Sequence, residues 1–466
     1  MRRLATLCAG LLLLAGCQVR AVRTEAPRGD GGSVYVYLRP LPEGAARLRF
    51  TLEGAAAVSA EGHAVPLELR LGELDGRAPG RQRLLAAGRV PPGSYRGLSL
   101  AVGRAWLRGE DGEAALLVPE EPVSVEAPFA VGRAEAALVE AALRTEGAVD
   151  QAFRFAPAFD AYVPPRPVFS RIGYAASAAE DHLAVFDRKT LEVVSVIATG
   201  RGPSSVVLDE RSRRAYVALA EEDAVEVVDV AAGRVTARVQ LRSGDRPQWL
   251  ALTPGGLLLC ANRDTDSLSL IDGGSAVEIG RLPVGDEPVF VLVDRPGRRG
   301  YVFNARSDTI SVLDLTSRSV VGELPVEAGP FRGSINRAGD RLYVIHRGSP
   351  YLLVVDTRTL APLERVLVGP GASAVHVDLR TDFVYVANRG SNRVDLYDPF
   401  SLLPVDFLEA GGAPADLVIG DEENRLFLAL PEQGAVSAVD LMGMRLRGLL
   451  EVGREPRSLA VWGARD

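Results

Sequence analysis

An aspartate closes an apolar, strand-like run at Asp187, Asp229, Asp272, Asp314, Asp356, Asp398 and Asp440, at intervals of 42, 43, 42, 42, 42 and 42 residues. Thirteen residues ahead of each stands Tyr174, Tyr216, Leu259, Tyr301, Tyr343, Tyr385 or Phe427. Later in each unit a turn ends in proline, at Pro203, Pro247, Pro288, Pro330, Pro414 and Pro456; the fifth unit has Ala372 instead. Each unit holds four strand-sized segments. In the sixth they are 385–388, 393–398, 405–410 and 415–420, divided by Gly, Asn and Asp turns. A repeat of this length constrains the fold more than any single residue does.

Four antiparallel strands in about 40–45 residues make one blade of a β-propeller. A single blade cannot bury both faces, so neighbours stack, and seven blades close a ring. The first unit enters at RIGYAAS (171–177), already its second strand, and EPRSLAVWGARD (455–466) is a first strand without followers. The last strand is therefore expected to complete the first blade and leave no open edge. The strings YVANRGSNRVDLYD and YVFNARSDTISVLD, followed by VGDEP or AGGAP, resemble the YVTN β-propeller repeat family across 171–466. Two units, YVALAEEDAVEVVD and FLALPEQGAVSAVD, lack the Asn. The resemblance implies the fold and an extracytoplasmic setting, and leaves function open.

The N-terminus reads separately. Met1-Arg2-Arg3 is a positive start, and Leu4 to Leu14 is an apolar run too short to span a bilayer. Leu14-Ala15-Gly16-Cys17 then resembles a bacterial lipobox. That resemblance implies cleavage after residue 16, lipid on the Cys17 thiol and an acyl chain on the freed amine. Several chains together anchor a protein stably where one does not. Gln18 is not the Asp that favours inner-membrane retention in some bacteria, so the outer membrane is expected. Residues 17–32 read as a flexible tether. With Cys8 removed and Cys17 lipidated, Cys260 is left without a disulfide partner and is expected in the core. No C-x-x-C-H haem motif occurs.

Residues 33–163 carry strand patterns at SVYVYL, ARLRFTL, VPLELRL, GLSLAVG and PVSVEA. The segment RVPPGSYRGLSLAV (89–102) resembles the hairpin of lipoprotein-associated β-sandwich domains of unknown function. AEAALVEAALRT (134–145) is helical by composition, but a sandwich requires it as a strand. Pro-rich residues 164–170 form the boundary to the propeller. The whole chain is thus expected to be all-β, a β-sandwich followed by a seven-bladed propeller.

Little chemistry is visible. The net charge of -7 argues against nucleic acid as a partner. There is no G-x-S-x-G, H-E-x-x-H or P-loop, and the strings NRDTD and ARSDT match a calcium loop only loosely. His63 and His182 are read as turn and loop residues without metal-ligand spacing. His346 takes the Asn position of the fifth blade, and His376 is placed on the innermost strand of that same blade. The Pro turns and the loops after each YVxN share one rim. There Asn262, Asn304, His346 and Asn388 are each followed by Arg263, Arg306, Arg347 or Arg389, while Glu180, Asp181, Glu221 and Glu222 make the first two blades acidic. Gln248, Trp249, Phe331, Arg332, Asp416 and Arg457 begin the innermost strands. This mixture of charge and aromatic rings at a channel mouth reads as a candidate binding site. The seven recurring aspartates are read as turn caps, because one active site does not need seven copies.

The expectation is a membrane-anchored lipoprotein whose propeller binds an envelope protein or glycan, without a cofactor or metal. The alternative is a lactonase-like or quinoprotein dehydrogenase-like propeller enzyme, with His376, Asp416 and Arg457 as its central residues.

Overall fold

The computed structural model describes residues 31–78, 80–110 and 112–464. The signal-like run, Cys17 and nearly all of the tether lie outside the described residues. No helix among the described residues is long and apolar enough to cross a membrane.

Seven four-stranded sheets form the propeller, and the chain closes it as the repeats require. The strand Pro456–Val461 pairs antiparallel with Ile172–Ser177 and becomes the innermost strand of blade one. Every other blade uses four consecutive strands. The second and third strands of each blade bury both faces between neighbouring sheets, which is why they are mostly apolar. Cys260 lies in this core.

The recurring aspartates cap the turn into the outermost strand. Asp187 accepts the backbone N–H groups of Lys189 and Thr190, Asp314 those of Thr316 and Ser317, and Asp398 those of Phe400 and Ser401. Four residues after each aspartate the backbone turns left-handed. Only blade two has Gly there (Gly233, φ 63°); elsewhere stand Leu191, Ala276, Arg318, Leu360, Leu402 and Met444. A left-handed non-glycine costs about 1–2 kcal/mol. Leu402 is 3% exposed and belongs to the interblade core, so burial of its side chain offsets that strain.

The region ahead of the propeller is a ten-stranded sheet curled around one core. The two layers of a sandwich are here joined by the strand Ala64–Leu69, which pairs with Leu48–Ser59 on one side and Arg83–Val90 on the other. Residues 136–144 are a strand, as the sheet requires, running parallel to Gly32–Leu38. The Tyr95 hydroxyl donates to the Pro91 carbonyl at 2.7 Å and pins the proline hairpin.

This sheet does not hang from the propeller. In Gly32–Leu38, Val34, Val36 and Leu38 face the sheet's own core, while Tyr35 and Tyr37 enter a second core with Phe186, Val193, Val436 and Leu450 of blades one and seven. Charged groups seal the seam: Arg83 and Arg81 reach Glu451 at 2.5 and 3.2 Å, and Arg70 reaches Glu180 at 2.5 Å. His182, expected in a loop, is instead the first residue of a strand and lies buried in this seam.

Candidate ligand site at the channel mouth

The site begins with a backbone irregularity. The innermost strands of blades two to six each start at the rim and slip register almost at once. In blade three Pro247 pairs with Asn262 but Trp249 with Ala261; in blade five Pro330 pairs with His346 but Arg332 with Ile345. Such a bulge bends the strand and re-aims the next side chain. Proline is tolerated there because it opens the strand and owes the ladder no N–H.

The residue two places beyond the proline position recurs around the channel as Ser205, Trp249, Phe290, Arg332, Ala374, Asp416 and Ser458. Six of these are small, aromatic or acidic, and one is cationic. Arg332 crosses toward blade three and lays its guanidinium on the Trp249 ring, 3.6 Å from the centroid. Phe290 and Phe331 lie at 5.0 Å each. Arg332 is 9% exposed, and among the described residues its guanidinium makes no hydrogen bond and no ion pair within 4.0 Å; its buried Nε has no partner at all. Burial pulls its pKa down to about 10, against the pull of the Asp416 charge and with that of Arg347. At neutral pH it remains a cation.

Trp249 and Arg332 form a floor between two cavities, since both line each one. Toward the rim is a mouth of about 440 Å³, also lined by Gln248, Phe331, Arg347, Arg389, Glu432, Glu455 and Arg457. Below is the channel, about 890 Å³, where His376 and Asp416 join Arg332 among mainly aliphatic strand residues. Asp416 also accepts the Leu459 N–H at 2.9 Å.

The arginines proposed from sequence divide into two groups. Arg332, Arg347, Arg389 and Arg457 meet at the mouth. Arg263 and Arg306 do not: they stay on the rim and bind Glu287 at 2.7 and 3.3 Å. Arg347 reaches the same carboxylate at 3.8 Å and covers the Phe331 ring at 4.4 Å. Arg389 pairs with Glu432 at 3.2 Å and Arg457 with Glu455 at 2.9 Å.

The histidines move away from their expected places. His346 is buried inside blade five and lines neither cavity. In blades three and four, Asn262 and Asn304 donate to hydroxyls at the head of the next strand, Ser267 with Ser269 and Thr309 with Ser311. Blade five puts Tyr351 and Leu353 at those places, so the His346 ring finds neither of the hydroxyls that its Asn counterparts bind. Burial lowers its pKa. His376 does line the channel, but its strand Ala372–Val377 pairs with Val384–Asn388 and so belongs to blade six, not to the blade of His346.

The acidic side of the rim is occupied. Asp181 accepts the Gly202 N–H, Glu180 binds Arg70, and Glu222 binds Arg238. Asp181 belongs to a series the sequence reading passed over. Six residues before the capping aspartate, Asp181, Asp223, Asp266 and Asp308 each accept the N–H of the residue preceding the proline. Their regular spacing was the available signal. The Trp249–Arg332 stack gave none, because it joins blades three and five across the channel. Among the described residues no three His, Cys, Asp or Glu side chains cluster as metal ligands would.

No protein-family model and no curated protein matches the chain. Its fold is similar to solved structures. One is Kuenenia stuttgartiensis hydrazine synthase, at 17% identity and a TM-score of 0.50, covering 56% of this chain and 90% of that one. Another is the dihydro-heme d1 dehydrogenase NirN in complex with DHE, at 13% identity and a TM-score of 0.50, covering 64% of this chain and 77% of that one. Both are enzymes by name. At these identities the likeness is one of fold: a seven-bladed propeller.

Proposed function

We propose that this chain is a lipid-anchored cell-envelope protein that captures a ligand at the rim-side mouth of its propeller. The observation that carries the reading is the convergence of four arginines from three blades, Arg332 and Arg347 of blade five, Arg389 of blade six and Arg457 of blade one, on one cavity of about 440 Å³ floored by Trp249 and Arg332. That volume suits a small ligand or one residue of a larger envelope partner. The lipobox-like Leu14–Cys17 and the YVTN-like repeats support the envelope setting. The curled sheet, packed on blades one and seven, contributes no lining residue to the mouth and stands as the spacer toward the membrane.

Native mass spectrometry of the full chain, extracted from its own membrane, tests this. Ala415 lines the mouth, and Ala415→Trp would fill it. A co-purifying mass present in the wild type and lost from the folded variant supports the reading; equal masses in both overturn it. For the anchor, Cys17→Ser is expected to move the protein from the membrane to the soluble fraction.

A second reading, a propeller enzyme, draws on the channel beneath the floor, where His376, Asp416 and Arg332 share one cavity. It requires the captured mass to change on incubation and His376→Ala to stop the change.

A further inference from the structure

Resting on the mouth reading, we propose that Arg332 and Arg347 together receive one oxyanionic group of the ligand, a carboxylate or a phosphate, on the floor of the mouth.

The argument starts from what Arg332 lacks. A guanidinium carries five N–H donors in one plane and nearly always finds acceptors when buried. Here Trp249 covers one face at 3.6 Å, which fixes the plane and leaves the in-plane donors as the groups still to be satisfied. No acceptor among the described residues meets them. The channel ring to which Arg332 belongs offers one carboxylate, Asp416, whose charge favours the cation and which itself accepts the Leu459 N–H. A charge removed from water without a partner is costly, and a fold keeps such a group where something else completes it.

Arg347 sharpens the case. Its guanidinium lies over Phe331 at 4.4 Å, and that of Arg332 lies 5.0 Å from the same ring. Two cations are thus held around one ring. The one carboxylate near Arg347, Glu287, stands 3.8 Å away and already binds Arg263 and Arg306 more closely. The two remaining mouth arginines are matched by Glu432 and Glu455. The unmatched charge is therefore localised on Arg332 and Arg347. An anion bridging them would relieve both the missing hydrogen bonds and the like-charge repulsion. A planar fork fixed by stacking suits two-oxygen recognition, the geometry of carboxylate and phosphate. Four arginines against two glutamates leave the mouth net positive, which favours entry of an anion.

The test uses the full chain in detergent, with inorganic phosphate and acetate as separate probes at constant ionic strength and chloride as the reference salt. Calorimetry and thermal unfolding are read together. The expected result is saturable binding and a rise in melting temperature with at least one probe, and the stronger of the two identifies the group. Arg332→Lys keeps the charge but loses the fork, so binding should weaken about tenfold or more. Arg332→Met should abolish it, while Arg306→Met, outside the mouth, should leave it unchanged. The proposal is overturned if neither probe saturates the wild type, or if the Arg332 variants, shown folded by their unfolding transitions, bind like the wild type. The broader reading fails separately. If Ala415→Trp expels a co-purifying ligand that both Arg332 variants retain in full, the mouth is the site and its ligand is not held as an oxyanion.

Discussion

The Tyr35 hydroxyl lies 2.9 Å from Nδ1 of His182, joining the curled sheet to blade one. On its far side the His182 Nε2 is 2.9 Å from the Val452 carbonyl of blade seven. A carbonyl can only accept, and Val452 at 2.9 Å is closer to Nε2 than the Glu180 carbonyl is to Nδ1 at 3.3 Å, so Nε2 carries the proton, Nδ1 accepts, and Tyr35 donates. One imidazole therefore ties three parts of the chain together. Tyr35→Phe leaves Nδ1 without that donor and should cost about 1–3 kcal/mol. Denaturant unfolding measures the loss, and an unchanged midpoint would show the bond to be incidental.

The same imidazole gives a pH dependence. Burial holds its pKa below the ordinary 6.5, against the nearby Glu180 and Asp181 charges that favour the cation. As pH falls the unfolded chain takes up the proton first. The stability tied to neutral His182 is complete above about pH 6.5 and declines as pH drops toward the folded value. His182→Gln should flatten that slope in unfolding curves taken across this range.

Glu226 predicts the opposite slope. It is buried beside Arg238 and accepts the Gly200 N–H, and burial pushes its pKa up to about 7. The folded chain then holds a proton that the unfolded chain releases near 4.5. Its contribution is complete below the unfolded value and disappears as pH rises through about 7. Glu226→Gln should match the wild type in acid and exceed it by on the order of 2 kcal/mol at pH 8. Parallel curves for the two proteins at all pH values would refute the burial argument.

Arg332 should prove a cost to the fold. Replacing it with Met removes a buried unpaired charge, and the lost attraction to Trp249 offsets part of the gain. A net stabilisation on the order of 1 kcal/mol is expected in chloride buffer. A marked drop in melting temperature would mean that Arg332 holds the ring of blades together.

Closure of the ring depends on the final strand. Removing residues 455–466 strips Ile172–Ser177 of its inner partner and exposes an edge. The truncated chain should lose cooperative unfolding, read by calorimetry, and become prone to aggregation.

Much of this was legible in advance. The 42-residue spacing of the aspartates sets blade number, strand order and ring closure, because a propeller repeats one local problem of turn and packing seven times. The capping role of Asp314 or Asp398 is local as well, set within three residues by side chain and turn. Four of the arginines named from their places in the repeat do reach the mouth, since register alone puts them at that end.

What the repeat does not encode is any relation between blades that are not neighbours in sequence. Arg263 and Arg347 occupy equivalent places, yet only Arg347 faces the mouth, and both are drawn by Glu287 of the blade between them. His182 has the spacing of a loop residue, and only the docking of Tyr35 explains why it is buried. Arg332 is one polar residue in a strand until the ring closes and carries it onto Trp249. The sequence by itself determined the seven blades and their closure, because period, turn chemistry and strand patterning act over short stretches of chain. Only the tertiary structure decided which charges are matched and which are left for a ligand, because charge pairing depends on distances across the ring.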